Sequence, residues 1–324
     1  MEASGRLRIR YPAWGRSVET RGEWKSRIVP TARGPVEISR YGPAAPVVVA
    51  VHGTPGGHDQ VPVLFPSFPG DGFGLLCWSR PGYLRTPLQA GPTFEEQADL
   101  LAALLDATGV DTTAVFAFSG GGPVAVHFAA RHPRRVWALV LESAASGPRS
   151  WPRPWLVHSS LGNWLLHLAS GAWPVEVFTR LLRAESGLDA ERSRARVAQA
   201  LRDPFRATVL RGLLASASPP ARRRAGLVND AFRLERLGPL PLGEISAPTL
   251  VVHGALDADV PPEHGERSAR SIPGAELLRV PDGLHLLSLA DNADEILARR
   301  IAFLTRHVPL GPPKPSPPRG LGGS

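Results

Sequence analysis

Short, uninterrupted apolar runs recur along this chain, and several are followed by stretches whose apolar residues return every three or four positions. Val47 to Val51 and Phe73 to Trp78 lack the polar alternation of a half-exposed strand, and so predict strands buried on both faces. Val115 to Phe118, Val136 to Leu141, Thr249 to Val252 and Glu276 to Val280 predict further strands. Ahead of these, Arg27 to Pro30 and Pro35 to Ser39 flank Thr31-Ala32-Arg33-Gly34, the pattern of a β-hairpin. Thr93-Phe94-Glu95-Glu96 has the form of a capping box, and the helix it opens carries Leu100, Leu101, Leu104 and Leu105 on one face. A last helix is predicted over about Leu286 to His307, with Leu297, Ile301 and Leu304 along one side.

Strands separated by helices predict an α/β architecture, a doubly wound and mostly parallel sheet, built from residues 26–145 and 246–307. Between those halves the alternation stops. Residues 146–245 read as helices and arginine-rich turns, an insertion whose first half holds Trp151, Trp155, Trp164 and Trp173 among leucines. Such a segment is expected to form a helical lid with an apolar underside. Residues 1–25 show no periodicity and are expected to be loose, and the Pro/Gly-rich stretch 308–324 is expected to be disordered.

Composition narrows the function classes. The formal charge is +8, yet Lys25 and Lys314 are the only lysines and the remaining basic residues are arginines spread along the chain. The densest cluster, Arg222-Arg223-Arg224, is short and lacks interleaved aromatics for stacking on bases, so a solvated arginine surface is expected rather than a nucleic-acid site. No apolar run is long enough to span a bilayer, and Met1 to Arg10 shows no signal-peptide pattern, so the expected compartment is the cytoplasm. Cys77 is the only cysteine, which excludes an internal disulfide and a cysteine-based metal cluster; its apolar flanks predict an inert core thiol.

Ser119 is where candidate chemistry concentrates. It follows the strand ending at Phe118 and precedes Gly120-Gly121-Gly122-Pro123, which opens an apolar helix running to about His132. A serine on a sharp strand-to-helix turn exposes its Oγ, and the turn needs small residues two positions either side, here Ala117 and Gly121. A serine nucleophile also needs a base, an acid to orient it and donors for an oxyanion. Asp257 lies just past the strand Thr249–Val252 and His285 just past the next strand, both at carboxyl ends where parallel sheets bind ligands. The loop His52-Gly53-Thr54-Pro55-Gly56-Gly57 follows the first buried strand and offers the Thr54 N–H; Gly120 N–H is the second candidate donor. Asp259 and Glu142 compete with Asp257 for the acid role. His253 lies inside the Asp257 loop, and His52 reads as a structural partner of the glycine-rich loop.

Taken in order, His-Gly-x-Pro-Gly, Arg80-Pro81-Gly82-Tyr83, the serine turn, and Gly-x-x-Asp-x-x-Val-Pro followed by a late histidine make the chain resemble the α/β-hydrolase superfamily. The resemblance covers roughly residues 26–145 and 246–307. Two departures stand out: Ser79 and Leu84 replace the Asp and second Gly of the family's Asp-x-Pro-Gly-x-Gly loop, and Ala117 replaces the usual first glycine of the serine turn. The resemblance implies a serine hydrolase working through an acyl-enzyme with Ser119, His285 and Asp257. The Trp/Leu-rich insertion suggests a small apolar ester, thioester or lactone as substrate, and no metal or organic cofactor is implied. A proline-iminopeptidase-like aminopeptidase, a carbon–carbon bond hydrolase and a non-catalytic ligand-binding protein on the same scaffold are the alternatives. Serine rather than aspartate at the turn argues against dehalogenase or epoxide-hydrolase chemistry.

Overall fold

The computed structural model describes residues 25–64, 72–149, 188–216 and 220–309. Eight strands form one sheet: β1 (Arg27–Thr31), β2 (Gly34–Tyr41), β3 (Val47–Val51), β4 (Gly74–Trp78), β5 (Thr113–Phe118), β6 (Val136–Glu142), β7 (Thr249–Gly254) and β8 (Glu276–Val280). Their order across the sheet is β1-β2-β4-β3-β5-β6-β7-β8. β2 runs antiparallel to β1 and β4, and all other pairings are parallel. The predicted hairpin is β1–β2, with Thr31 Oγ1 donating to the Gly34 carbonyl across the turn.

Strands β3 and β5 are buried along their whole length, as their unbroken apolar runs require. Alternate side chains serve opposite faces. Val47, Val49 and Val51 join one core with Val115, Ala117, Leu139 and Leu141. Val48 and Ala50 join the other with Ala114, Phe116, Phe118 and Val140. Helices α2 (Phe94–Ala107) and α3 (Gly122–Arg131) cover the first face, α2 presenting Leu100, Leu101, Leu104 and Leu105 to it. The capping box at its start is complete: Glu96 N–H donates to Thr93 Oγ1, and Thr93 N–H to Glu96 Oε2. The four-residue helix α1 (Val61–Leu64) contributes to the second face. Cys77 is buried within β4, and burial pushes its thiol well above the ordinary range, in keeping with an inert core residue.

Between β6 and β7 the described residues form helices α4 (Ala190–Arg202), α5 (Pro204–Ser216) and α6 (Arg224–Glu235), and no strand. Trp151, Trp155, Trp164 and Trp173 lie outside the described residues, as do residues 1–24 and 310–324. After β7 come α7 (Pro262–Ser271), β8 and α8 (Ala293–His307). The final helix is shorter than its periodicity predicts. Leu287–Leu289 form a single 3-10 turn with Leu287 and Leu289 buried, Ala290 then becomes extended, and α8 restarts after Asp291-Asn292, residue types that favour helix starts.

One feature of α8 was invisible in its periodicity. Arg300 and Glu142, at the carboxyl end of β6, meet in the core with Nη2 and Oε2 2.6 Å apart. Burial pushes the Glu142 carboxyl up and opposes the Arg300 charge, while each ion holds the other in its charged form. Arg300→Met, which keeps the aliphatic bulk and leaves the carboxylate without its partner, is expected to cost about 3 kcal/mol of folding stability. Urea denaturation measures this, and adding Glu142→Gln to the same protein should recover much of the loss.

Candidate active site

The sheet changes winding direction at β3: the chain steps from β3 to β4 on one side, then crosses to β5 on the other. Loops leaving the carboxyl ends of β3 and β5 therefore diverge and leave a crevice between them. The glycine-rich loop from His52 and the turn at Ser119 form its two walls, and the loops after β7 and β8 bring Asp257 and His285 beside them.

Ser119 has φ of +52°, in the left-handed region that costs a non-glycine residue about 1–2 kcal/mol. Residues Ser119–Gly121 make a 3-10 turn before α3 begins at Gly122. The requirement for glycine at position 121 is steric. A Cβ there would lie 2.7 Å from the carbonyl oxygens of both Val51 and His52. Ala117, two residues before the serine, is fully buried within β5 and its methyl is accommodated in the core.

Ser119 Oγ lies 3.0 Å from His285 Nε2, and His285 Nδ1 lies 2.9 Å from Asp257 Oδ2. All three residues are buried. The second Asp257 oxygen accepts the Asp259 N–H at 3.0 Å and the Val260 N–H at 2.8 Å, which fixes the carboxylate in the plane it presents to His285. Burial opposes the Asp257 charge, but His285, the nearby His253 and the Val260 N–H outweigh it and hold the carboxyl well below the ordinary aspartate range. The ring of Phe118 packs against that of His285 with centroids 5.0 Å apart, and Ser143 Oγ donates to the His285 carbonyl.

The competing acids separate by position. Glu142 is engaged with Arg300 in the core. Asp259 approaches the other ring nitrogen, with Oδ2 3.3 Å from His285 Nε2, and its carboxylate is also paired with Arg149. A group on Nε2 faces the serine side of the ring and cannot orient it from behind. His253 Nε2 is directed at the Val260 carbonyl at 2.8 Å, so it braces the Asp257 loop.

Thr54 and Gly120 adjoin one another: a Cβ on Gly120 would come within 2.4 Å of Thr54 Oγ1. The loop carrying Thr54 is held by its own side chains. Gln60 Oε1 accepts the Gly53 N–H at 2.8 Å and Gln60 Nε2 donates to the Pro55 carbonyl. His52 Nε2 accepts the Arg80 N–H at 2.9 Å, which leaves the proton on Nδ1 to donate to the Gly53 carbonyl at 2.7 Å. Burial and the adjacent Arg80 charge hold His52 well below the ordinary histidine range, so this ring is a neutral strut. Among the described residues no group of three or more His, Cys, Asp or Glu side chains is arranged to hold a metal ion.

Several residues around the crevice had no signal in the sequence. Asp230 of α6 is buried against Thr54, Arg80 and Tyr83. Arg223, expected on a solvated arginine surface, is instead buried, donating to the Gly56 carbonyl at 2.7 Å and to Asp59. The correction has a simple cause: the Gly56 carbonyl and the Asp59 carboxylate face the start of α6, and the Arg223 guanidinium satisfies both. His264 of α7 accepts the Ser146 N–H on Nδ1 at 3.0 Å, while Ser146 Oγ donates to the His264 carbonyl.

Burial, with the nearby Arg267 charge adding to it, lowers His264 from 6.5 to about 4. Between those values the unfolded chain binds a proton that the folded chain does not. Stability is therefore full above the upper value and falls as pH drops through the window. Asparagine can offer Oδ1 to the same Ser146 N–H without titrating. From about pH 7 to about pH 5, the wild type is expected to lose about 2 kcal/mol more stability than His264→Asn, measured by urea denaturation at each pH.

Residues 46–291 match the family described as alpha/beta hydrolase fold. Among solved structures, an alpha/beta hydrolase fold protein from Nakamurella multipartita is 37% identical with a TM-score of 0.78, covering 86% of this chain and 99% of that one. The uncharacterized hydrolase YcgS of Bacillus subtilis is 26% identical over 285 residues, 84% of this chain and 95% of its own length. A pimeloyl-[acyl-carrier protein] methyl ester esterase of Aromatoleum aromaticum is 29% identical over 268 residues, 77% of this chain and 94% of its own. A family match that runs through all the strands lining the crevice, with relatives spanning nearly their full lengths, makes this chain a member of the alpha/beta hydrolase fold family.

Proposed function

We propose that this protein is a serine hydrolase that cleaves a small apolar ester, thioester or lactone through an acyl-enzyme. One observation carries the reading: an unbroken hydrogen-bonded line from Asp257 through His285 to a serine in left-handed backbone conformation. In this mechanism His285 Nε2 takes the Ser119 proton as Oγ attacks the substrate carbonyl carbon. Asp257 holds the Nδ1–H and stabilises the imidazolium that forms. The carbonyl oxygen becomes an oxyanion beside the N–H groups of Thr54 and Gly120. Each such donor is typically worth about 3–4 kcal/mol of transition-state stabilisation.

Collapse breaks the bond to the leaving group, which departs with the proton from His285 Nε2. Water then gives a proton to the same nitrogen, attacks the acyl carbon and releases the acid, regenerating Ser119. Asp259 stands 3.3 Å from Nε2 and adds negative potential next to the transient imidazolium, moderated by its pairing with Arg149. The substrate class rests on the tryptophan and leucine content of residues 151–173, in a segment whose sequence reads as a lid, and on a relative named as a methyl ester esterase.

A panel of p-nitrophenyl esters, thioesters, lactones and aminoacyl anilides tests the reading beside Ser119→Ala. Turnover of the ester and thioester series is expected, with kcat lowered at least roughly 10³-fold in the alanine variant. Undiminished turnover by Ser119→Ala would overturn the mechanism, and turnover confined to proline anilides would overturn the substrate class.

A further inference from the structure

Helix α6 belongs to the segment between β6 and β7, far from the crevice in sequence, yet it carries a buried carboxylate bonded by three side chains beside the site. Asp230 is 1% exposed. Its Oδ2 accepts Thr54 Oγ1 at 2.5 Å, Arg80 Nη2 at 2.5 Å and Tyr83 Oη at 2.6 Å, and Oδ1 accepts Arg80 Nη1 at 3.0 Å. A lone ion pair would be satisfied by Arg80. The extra bond to Thr54 runs to the residue whose N–H is the candidate oxyanion donor. It also engages the Thr54 hydroxyl proton, so that the backbone N–H is the donor Thr54 retains for a substrate oxygen.

The same loop is held at a second point from the same helix, because Arg223 at the α6 start bonds the Gly56 carbonyl and Asp59. Backbone bonds from Gly226 N–H to the Gly82 carbonyl and from Leu84 N–H to the Arg222 carbonyl lock α6 to the loop carrying Arg80 and Tyr83. Two residues of opposite charge on one helix therefore grip residues 54–59 at two points. Burial of an ion pair contributes little net stability, so this arrangement gains nothing as a staple that apolar packing could not give. What it does supply is a fixed direction for Thr54.

We infer that Asp230 is a positioning residue of the oxyanion site, through which α6 sets the orientation of Thr54 and its N–H. The inference rests on the serine-hydrolase reading and extends it to a residue of the insertion. Displacing a donor by about 1 Å can cost about a hundredfold in rate, because the donor must meet the oxyanion and not the ground-state carbonyl.

The test is the second-order rate constant for fluorophosphonate labelling of Ser119, with kcat and KM on a p-nitrophenyl ester and the melting temperature of each variant. Thr54→Val deletes the hydroxyl with its bonds to Asp230 and Arg80, and Thr54→Ser retains it. Thr54→Val is expected to slow both labelling and kcat about tenfold with KM changed less than about twofold, and Thr54→Ser, which restores the hydroxyl, is expected to recover most of that loss. Asp230→Asn, which turns donors toward Arg80 and Tyr83, is expected to slow both by about a hundredfold. Wild-type labelling rates in a folded Thr54→Val protein would overturn the inference and leave the serine mechanism standing. So would a slowing that only tracks loss of folded protein. Failure of the wild type itself to label would remove the serine nucleophile and the inference with it.

Discussion

The left-handed conformation of Ser119 is the constraint on which this molecule is built. A φ of +52° at the end of a buried strand is held only because everything around it leaves no alternative. β5 is paired on both sides, α3 begins three residues later, and the carbonyls of Val51 and His52 press against Gly121 where any side chain would sit. The strain is offset by the packing of the two cores on either face of the sheet. The result is a hydroxyl raised into the crevice with His285 Nε2 within hydrogen-bond distance.

Buried charge marks the joints of the structure. Arg300 and Glu142 tie the last helix to β6, Arg223 and Asp59 tie α6 to the glycine-rich loop, and Arg80 and Asp230 tie α6 to the loops after β3 and β4. Each pair joins parts of the chain far apart in sequence. Breaking any of them strands an ion in a low-dielectric setting, so the elements move together or not at all. The crevice is in this way framed jointly by the sheet and by α6, one of the helices between β6 and β7.

Much of the fold was legible because its elements announce themselves locally. Unbroken apolar runs gave β3 and β4, the Thr93 and Glu96 pair gave the start of α2, and the glycines after Ser119 gave the turn. The last helix was overread because Leu286 to Leu289 share its apolar character, although their backbone closes into a separate turn. The charge pattern was the least legible. Arginine has the same hydrophilic signature in a surface helix as at Arg223 or Arg300, where its burial is made possible by a carboxylate from elsewhere in the chain.

By itself the sequence determined a mostly parallel sheet with Ser119, Asp257 and His285 each just past a strand, since periodicity and turn chemistry act over a few residues. Only the tertiary structure decided the distances among them. It set Asp257 behind the imidazole and Asp259 in front of it, two residues apart in the chain and on opposite ring nitrogens. It also brought Asp230 to Thr54 across 176 positions. Hydrogen bonds have a reach of about 3 Å and a direction, and neither is written in the order of residues.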